Sequence, residues 1–310
     1  MDRRNSLAQA VCGLLLLRAV AAAGDQGGWL SAPELEVPAC NMDVVKASEL
    51  PLEKFYELYA GKRPVLIRGG TSSWAAHSTW TREYMRNAYG EKTVAPKCSA
   101  AGIKRRDGSS TKFEKAVKLP FRTFLDQGRA APICAPAQLK DTDRCSSTAE
   151  YDYIFDALAY VVNASEQQRL FGNLPYLREW NQYSTQLALG SAGTGLGLHD
   201  HGEAISVSIW GTRRWVVLNT TDYACKDVDE MNSWSEMGSA VWLQEVYPSI
   251  TNEMAQPIIE CTQRKGDVVY VPEAWHHTVL NMDEAVAISY NRRPSDGFIR
   301  DRKENVYRCK

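Results

Sequence analysis

Only five histidines occur in the chain, and four of them fall in two short clusters, His199-Asp200-His201 and His276-His277. In an extended segment residues i and i+2 project to the same side, so His199 and His201 converge on one point while Asp200 turns away. A third imidazole from a later strand completes a three-nitrogen face for a divalent metal ion: His277, or His276 if the register slips by one. Imidazole ligands suit iron, zinc and copper alike, so the set leaves the metal's identity open. A lone strand histidine is usually a packed or surface residue; the joint pattern, not any single ring, points to a metal. By their placement Asp200 reads as a surface residue, Glu203 as a solvated loop residue, and Trp210, Trp215 and Trp275 as core.

Both clusters sit beside strand-like segments. From about Tyr183 onward the pattern predicts short strands over 187–189, 205–210, 215–218, 268–271, 278–280 and 286–290, punctuated by Gly and Pro as in a sandwich or barrel. Earlier, Leu52, Phe55, Tyr56 and Tyr59 recur at helical spacing and lead into a strand over 65–67. A second helix is predicted over 81–89, stopped by Gly90, and a third over 121–125, with the basic stretch 98–110 as a loop. The mixed segment 220–257 reads as an insertion holding short helices or a lid. The expected organisation is a lead-in of flexible character over 24–38, a helical and strand elaboration over 39–182, a metal-binding barrel over 183–294 and a tail over 295–310.

With 310 residues, 44% apolar and 24% charged, the chain can bury one large core. Its net charge of -1 supplies no positive field for phosphate, which argues against a nucleic-acid partner. Arg3 and Arg4, the apolar run 14–17 and the small residues Ala21-Ala22-Ala23 read as a secretory signal over 1–23, with no segment long enough to span a bilayer. The expected compartment is the endoplasmic reticulum lumen or the exterior. Apart from Cys12, the remaining cysteines (Cys40, Cys98, Cys134, Cys145, Cys225, Cys261 and Cys309) are too scattered for a zinc cluster and read as structural disulfides of open connectivity. Asn163-Ala164-Ser165 and Asn219-Thr220-Thr221 are glycosylation acceptors in that compartment.

The second histidine cluster lies in Gly266-x5-Pro272-x-Ala274-x2-His277-x3-Asn281, which resembles a cupin signature with Ala in place of one Gly. Phe55, Tyr59, Pro64-Val65, Gly69, Trp74-Ala75 and Trp80, then Leu119-Pro120-Phe121, His199-x-His201, Gly211-x-Arg213-Arg214-Trp215 and Pro272-x-x-Trp275-x-His277 resemble the JmjC (jumonji) family of that superfamily. The run Trp242-Leu243, Tyr247-Pro248 and Ile259-Glu260-Cys261-Thr262 is most similar to its small secretory-pathway branch. The resemblance implies a mainly β, double-stranded β-helix (jelly-roll) barrel with N-terminal helices packed outside it. It also implies Fe(II) as the metal and 2-oxoglutarate as co-substrate. His201 occupies the position of the family's carboxylate ligand. Arg213 falls where the family has the Lys that pairs with 2-oxoglutarate, with Thr194, Thr185 and Asn291 as hydrogen-bonding companions by position. Three functions follow from the resemblance. One is a 2-oxoglutarate-dependent hydroxylase of a luminal or extracellular protein; another is a catalytically silent scaffold with a protein partner; the third is a three-His dioxygenase that does not use 2-oxoglutarate.

Overall fold

Strand alternation sets the architecture. In the segment Ala204–Trp210, Ile205, Val207 and Ile209 pack into one hydrophobic cluster while Ser206 and Ser208 face the opposite side, the period-2 pattern of a strand with two different environments. The structure is a computed structural model describing residues 27–31, 40–97, 118–127, 152–219, 237–250 and 258–297. The expected signal, the loop 98–110, the tail beyond 297 and Cys98, Cys134, Cys145, Cys225 and Cys309 lie outside the described residues.

The strands are β1 (Asp43–Lys46), β2 (Val65–Arg68), β3 (Thr93–Val94), β4 (Leu119–Pro120), β5 (Tyr153–Ala157), β6 (Tyr183–Gly190), β7 (Gly195–His199), β8 (Ala204–Trp210), β9 (Arg213–Leu218), β10 (Ile259–Gln263), β11 (Val268–Val271), β12 (His276–Asn281) and β13 (Ala285–Arg292). A seven-stranded sheet runs β1-β2-β11-β8-β13-β6-β5, and a four-stranded sheet runs β10-β9-β12-β7. The eight strands β6 to β13 are shared between the two sheets in the order of a double-stranded β-helix, and β1, β2 and β5 extend the larger sheet. Residues of both sheets meet between them: Leu66, Val269 and Val271 from one, Trp215, Val217, Cys261 and Val279 from the other.

The outer face of the larger sheet is covered by helices whose apolar spacing the sequence displays. They are α1 (Leu52–Leu58), α2 (Ala76–Thr79), α3 (Arg82–Tyr89), α4 (Phe121–Asp126) and α5 (Ala164–Leu170). Phe55, Met85, Phe121 and Leu170 from these helices join Val65, Ile205 and Val268 in the main core. Thr81 caps α3 by accepting from the Tyr84 amide, which is why the helix starts there. The expected insertion supplies α6 (Ser239–Glu245) and α7 (Tyr247–Ile250), which pack Trp242 and Ile250 against Leu198, Val216 and Leu280 on the outer face of the smaller sheet.

The expected lead-in contains a fixed segment. Trp29 is 1% exposed, its Nε1 donates to the Trp80 carbonyl at 3.0 Å, and the Leu30 amide donates to Glu284. Burial of a whole indole outweighs the permissive Gly and Pro around it. Cys40 and Cys261 form a disulfide, tying the residues before β1 to β10 at the edge of the other sheet. No helix among the described residues is long and apolar enough to cross a membrane.

Candidate metal centre

His199 ends β7 and His277 lies in β12, directly opposite it in the ladder. One register step later Leu196 pairs with Val279, so three residues of β7 span the interval that two residues of β12 cover. This bulge lets Leu196 and His199, three apart in sequence, both face the interior. Gly197 sits within the bulge because a Cβ there would lie 2.2 Å from the Met237 carbonyl. Ala274, standing where the signature carries Gly, has φ of 67° and donates its amide to the His201 carbonyl at 3.0 Å. That left-handed turn brings the second cluster back to the first, at a cost of about 1–2 kcal/mol for a residue with a Cβ.

The three rings meet. Their centroids are separated by 4.2 Å (His199 to His277), 4.9 Å (His201 to His277) and 5.2 Å (His199 to His201), and their ligand nitrogens all lie within 4.8 Å of one another. Each Nδ1 donates to a backbone carbonyl: His199 to Gly197 at 2.7 Å, His201 to Gly202 at 2.7 Å, and His277 to Trp275 at 2.9 Å. A carbonyl only accepts, so Nδ1 carries the proton and each Nε2 presents its lone pair, the tautomer a metal ligand requires. Burial, reinforced by the neighbouring His201, pushes His199 down to about 3, although the ring keeps partial solvent contact. Burial, then its two partner rings, holds His277 well below the ordinary imidazole value. Both are neutral near pH 7, the form in which imidazole binds metal.

His276 points to the other side of β12, beside Asp200 at 3.9 Å. Asp200 turns away from the triad as parity requires, but it is buried rather than a surface residue. Glu203 is also buried, contrary to the solvated reading. It accepts from the Tyr270 hydroxyl and pairs with Arg292, and its backbone carbonyl receives the Arg292 amide at 2.8 Å, so the loop carrying His201 is pinned to β13. The fifth histidine, His77, is structural, held by Thr71 and the Ile209 carbonyl at 3.2 Å each.

Arg213 faces the interior opposite Asn281 and is 2% exposed. Its Nη1 donates to Ser206 Oγ at 2.9 Å, its Nε has no hydrogen-bond partner, and among the described residues no carboxylate forms an ion pair with it. The buried Tyr153 hydroxyl faces the guanidinium as its electrostatic and hydrogen-bonding neighbour, outside close hydrogen-bond geometry. Gly190 permits this approach, because a Cβ there would stand 2.4 Å from Thr194 Oγ1 and 2.7 Å from the Tyr153 ring. Asn281 Nδ2 donates to Thr194 Oγ1 at 3.0 Å, and its Oδ1 is unsatisfied. Two donors, Arg213 Nε and the Tyr153 hydroxyl, thus gather deep in the fold and fit a bound carboxylate, whereas Asn281 Oδ1 is an acceptor and does not. Arg214, the next residue, donates through Nε and Nη2 to one carboxylate oxygen of the buried Glu260, at 3.0 and 2.8 Å.

Of the expected companions, Thr194 belongs to this inner cluster. Asn291 bonds the Gln186 side chain on the inner face nearer the rim. Thr185 pairs with Tyr290 and lines a cavity of about 530 Å³ on the outer face, with Trp180 and Tyr183. It is not gathered with the others; Gln186, one residue on, faces inward. Tyr153 and Ser206 escaped the sequence reading because nothing local marks a tyrosine or serine whose partner is a distant buried arginine. Asn163 is exposed and caps α5, and Asn219 follows β9.

The profile of the Cupin-like domain family matches residues 51–297. JmjC domain-containing protein 8 of Mus musculus is 26% identical over 288 residues, covering 89% of this chain and 93% of the relative. The bifunctional arginine demethylase and lysyl-hydroxylase psr-1 of Caenorhabditis elegans is 26% identical over 267 residues, 80% of this chain and 60% of the relative. The 2-oxoglutarate and iron-dependent oxygenase JMJD4 of Homo sapiens is 30% identical over 87 residues, 28% of this chain and 20% of the relative.

Proposed function

Because the chain belongs to the JmjC branch of the cupin-like domain family, we propose that it is a secretory-pathway protein hydroxylase that holds Fe(II) between His199, His201 and His277 and takes 2-oxoglutarate as co-substrate. The observation that carries this reading is Arg213, a buried guanidinium with an idle Nε and no carboxylate paired with it among the described residues. An isolated buried cation is expensive, and a scaffold with no anion to bind gains nothing from keeping one.

Arg213 and the Tyr153 hydroxyl would grip the distal carboxylate of 2-oxoglutarate, and Asn281 and Thr194 would border it. The three Nδ1-to-carbonyl bonds fix the ring orientations, and Leu196, Trp215 and Val279 exclude water below the metal layer. When bound, Fe(II) would be the site at which dioxygen oxidises both partners, one oxygen atom entering a carbon–hydrogen bond of the substrate protein and the other entering succinate as 2-oxoglutarate loses carbon dioxide. With His201 in the carboxylate's place, all protein ligands are neutral. The ion keeps its full 2+ charge, which favours an anionic co-ligand. The Cys40–Cys261 bond, the reading of residues 1–23 and the exposed acceptor Asn163 support the lumen or exterior as compartment.

The all-imidazole ligand set favours a second reading, zinc in a non-redox scaffold. The test is succinate formation from 2-oxoglutarate with added Fe(II), comparing the native chain with His201→Asp and Arg213→Ala, alongside metal analysis of protein purified without added iron. Native turnover lost in Arg213→Ala supports the hydroxylase. Zinc content with neither turnover nor co-substrate binding by the native chain refutes it.

A further inference from the structure

The interior of the fold is layered, and one side chain separates the metal from the anion anchor. On β9 the inward residues are Arg213, Trp215 and Val217; facing them on β12 are Asn281, Val279 and His277. Trp215 therefore lies one layer below the triad and one above the guanidinium, each step about 6.6 Å along a strand. Its indole stacks beside His277, with centroids 5.9 Å apart and planes 26° from parallel. The Arg213 guanidinium carbon stands 5.5 Å from the same ring, within cation–π range.

The indole is itself fixed. Its Nε1 donates to Gln263 Oε1 at 2.8 Å, and the fully buried Gln263 amide donates in turn to the Ser206 and Asp267 carbonyls at 2.8 and 3.0 Å. Ser206 is also the residue whose hydroxyl receives Arg213 Nη1. Cys261, bonded to Cys40, is the ladder partner of Trp215 on its other side. The side chains that satisfy the indole N–H therefore share Ser206 with the arginine.

We infer that Trp215 is a positioning residue that sets the spacing between the His277 ligand and the Arg213 anchor, so that one bidentate co-substrate can reach both. This rests on the 2-oxoglutarate reading above. Trp215→Phe keeps a ring beside His277 but strands the Gln263 oxygen; Trp215→Leu removes both contacts.

The test uses the full chain loaded with Co(II), whose visible absorption reports ligand geometry, followed by titration with 2-oxoglutarate; thermal melts confirm that each variant is folded. Trp215→Phe is expected to bind Co(II) with a native spectrum and 2-oxoglutarate about tenfold more weakly. Trp215→Leu is expected to show an altered Co(II) spectrum and a co-substrate loss at least as large. Folded variants with native spectra and native 2-oxoglutarate affinity overturn the positioning role alone. A native chain that takes Co(II) but no 2-oxoglutarate overturns the proposed function and the anchor half of this inference. The Trp215→Leu spectrum then still decides the metal half, and a native chain that takes no Co(II) overturns both.

Discussion

Lowering the pH from 7 to 5 separates a buried triad from a surface histidine cluster. An imidazole with the ordinary value of 6.5 is about 25-fold less available to a metal at pH 5 than at pH 7. Three such ligands together would lose roughly 15,000-fold, ~5.7 kcal/mol. Here His199 is held at about 3 and His277 well below 6.5, chiefly by burial, so neither takes up a proton in this interval. Even an ordinary third ring leaves a loss of at most about 25-fold, ~2 kcal/mol. Competition for Zn(II) against a chromophoric chelator, corrected for the chelator's own protonation, measures this directly. A fall beyond about 1,000-fold would mean that His199 and His277 titrate like exposed imidazoles and that the reasoning from burial fails. The metal-free protein shows the same physics with its own sign. The unfolded chain protonates these rings below 6.5 and the folded chain does not until far lower. Stability is therefore complete above 6.5 and declines as pH falls toward 3, by about 1.4 kcal/mol per pH unit for each ring held neutral.

Arg213→Met replaces a buried, unpaired cation with an apolar chain of similar length. The metal-free protein should gain about 1–3 kcal/mol in urea melts while losing 2-oxoglutarate binding, and destabilisation would show that the contacts to Ser206 and the Trp215 ring outweigh the cost of burying the charge. Reduction of Cys40–Cys261, or Cys40→Ser, opens a loop spanning 221 residues, for which chain entropy sets a ceiling of about 5 kcal/mol; an unchanged melting temperature in reductant would argue against that bond in solution. Glu203→Gln breaks the charge pair with Arg292, whose side chain is 44% exposed, so screening limits the loss to about 1–2 kcal/mol. Faster hydrogen exchange in the His201 loop should accompany it, and unchanged exchange there would separate Glu203 from the metal loop.

Where local pattern and final environment coincide, the sequence was readable. The apolar alternation of β8, the Thr81 cap of α3 and the spacing of Leu52 and Phe55 in α1 all state their structure within a few residues. The triad was legible too, because strand parity alone distinguishes His199 and His201 from Asp200. β7 was not, since Gly195-Leu196-Gly197-Leu198 resembles a loop until the close approach of the Met237 carbonyl explains the glycine. The burial of Glu203 depends on Tyr270 and Arg292, 67 and 89 residues away, and no local feature announces them. Thr185 illustrates a subtler limit: β6 was identified, yet which of its alternating faces looks inward is set by the second sheet, and Gln186 holds the inner place.

The surplus residue in β7 makes ligand geometry a property of chain length as much as of residue type. Removing one position between Leu196 and His199 would restore a regular ladder with the first imidazole still on the inner face, whereas straightening the strand with every residue kept would turn that ring out toward the helical layer. Transplanting the whole Leu196–His199 stretch into an unkinked strand of another jelly roll should fail for that reason, and a designer seeking this centre would have to match the number of residues to the ladder as well as the letters.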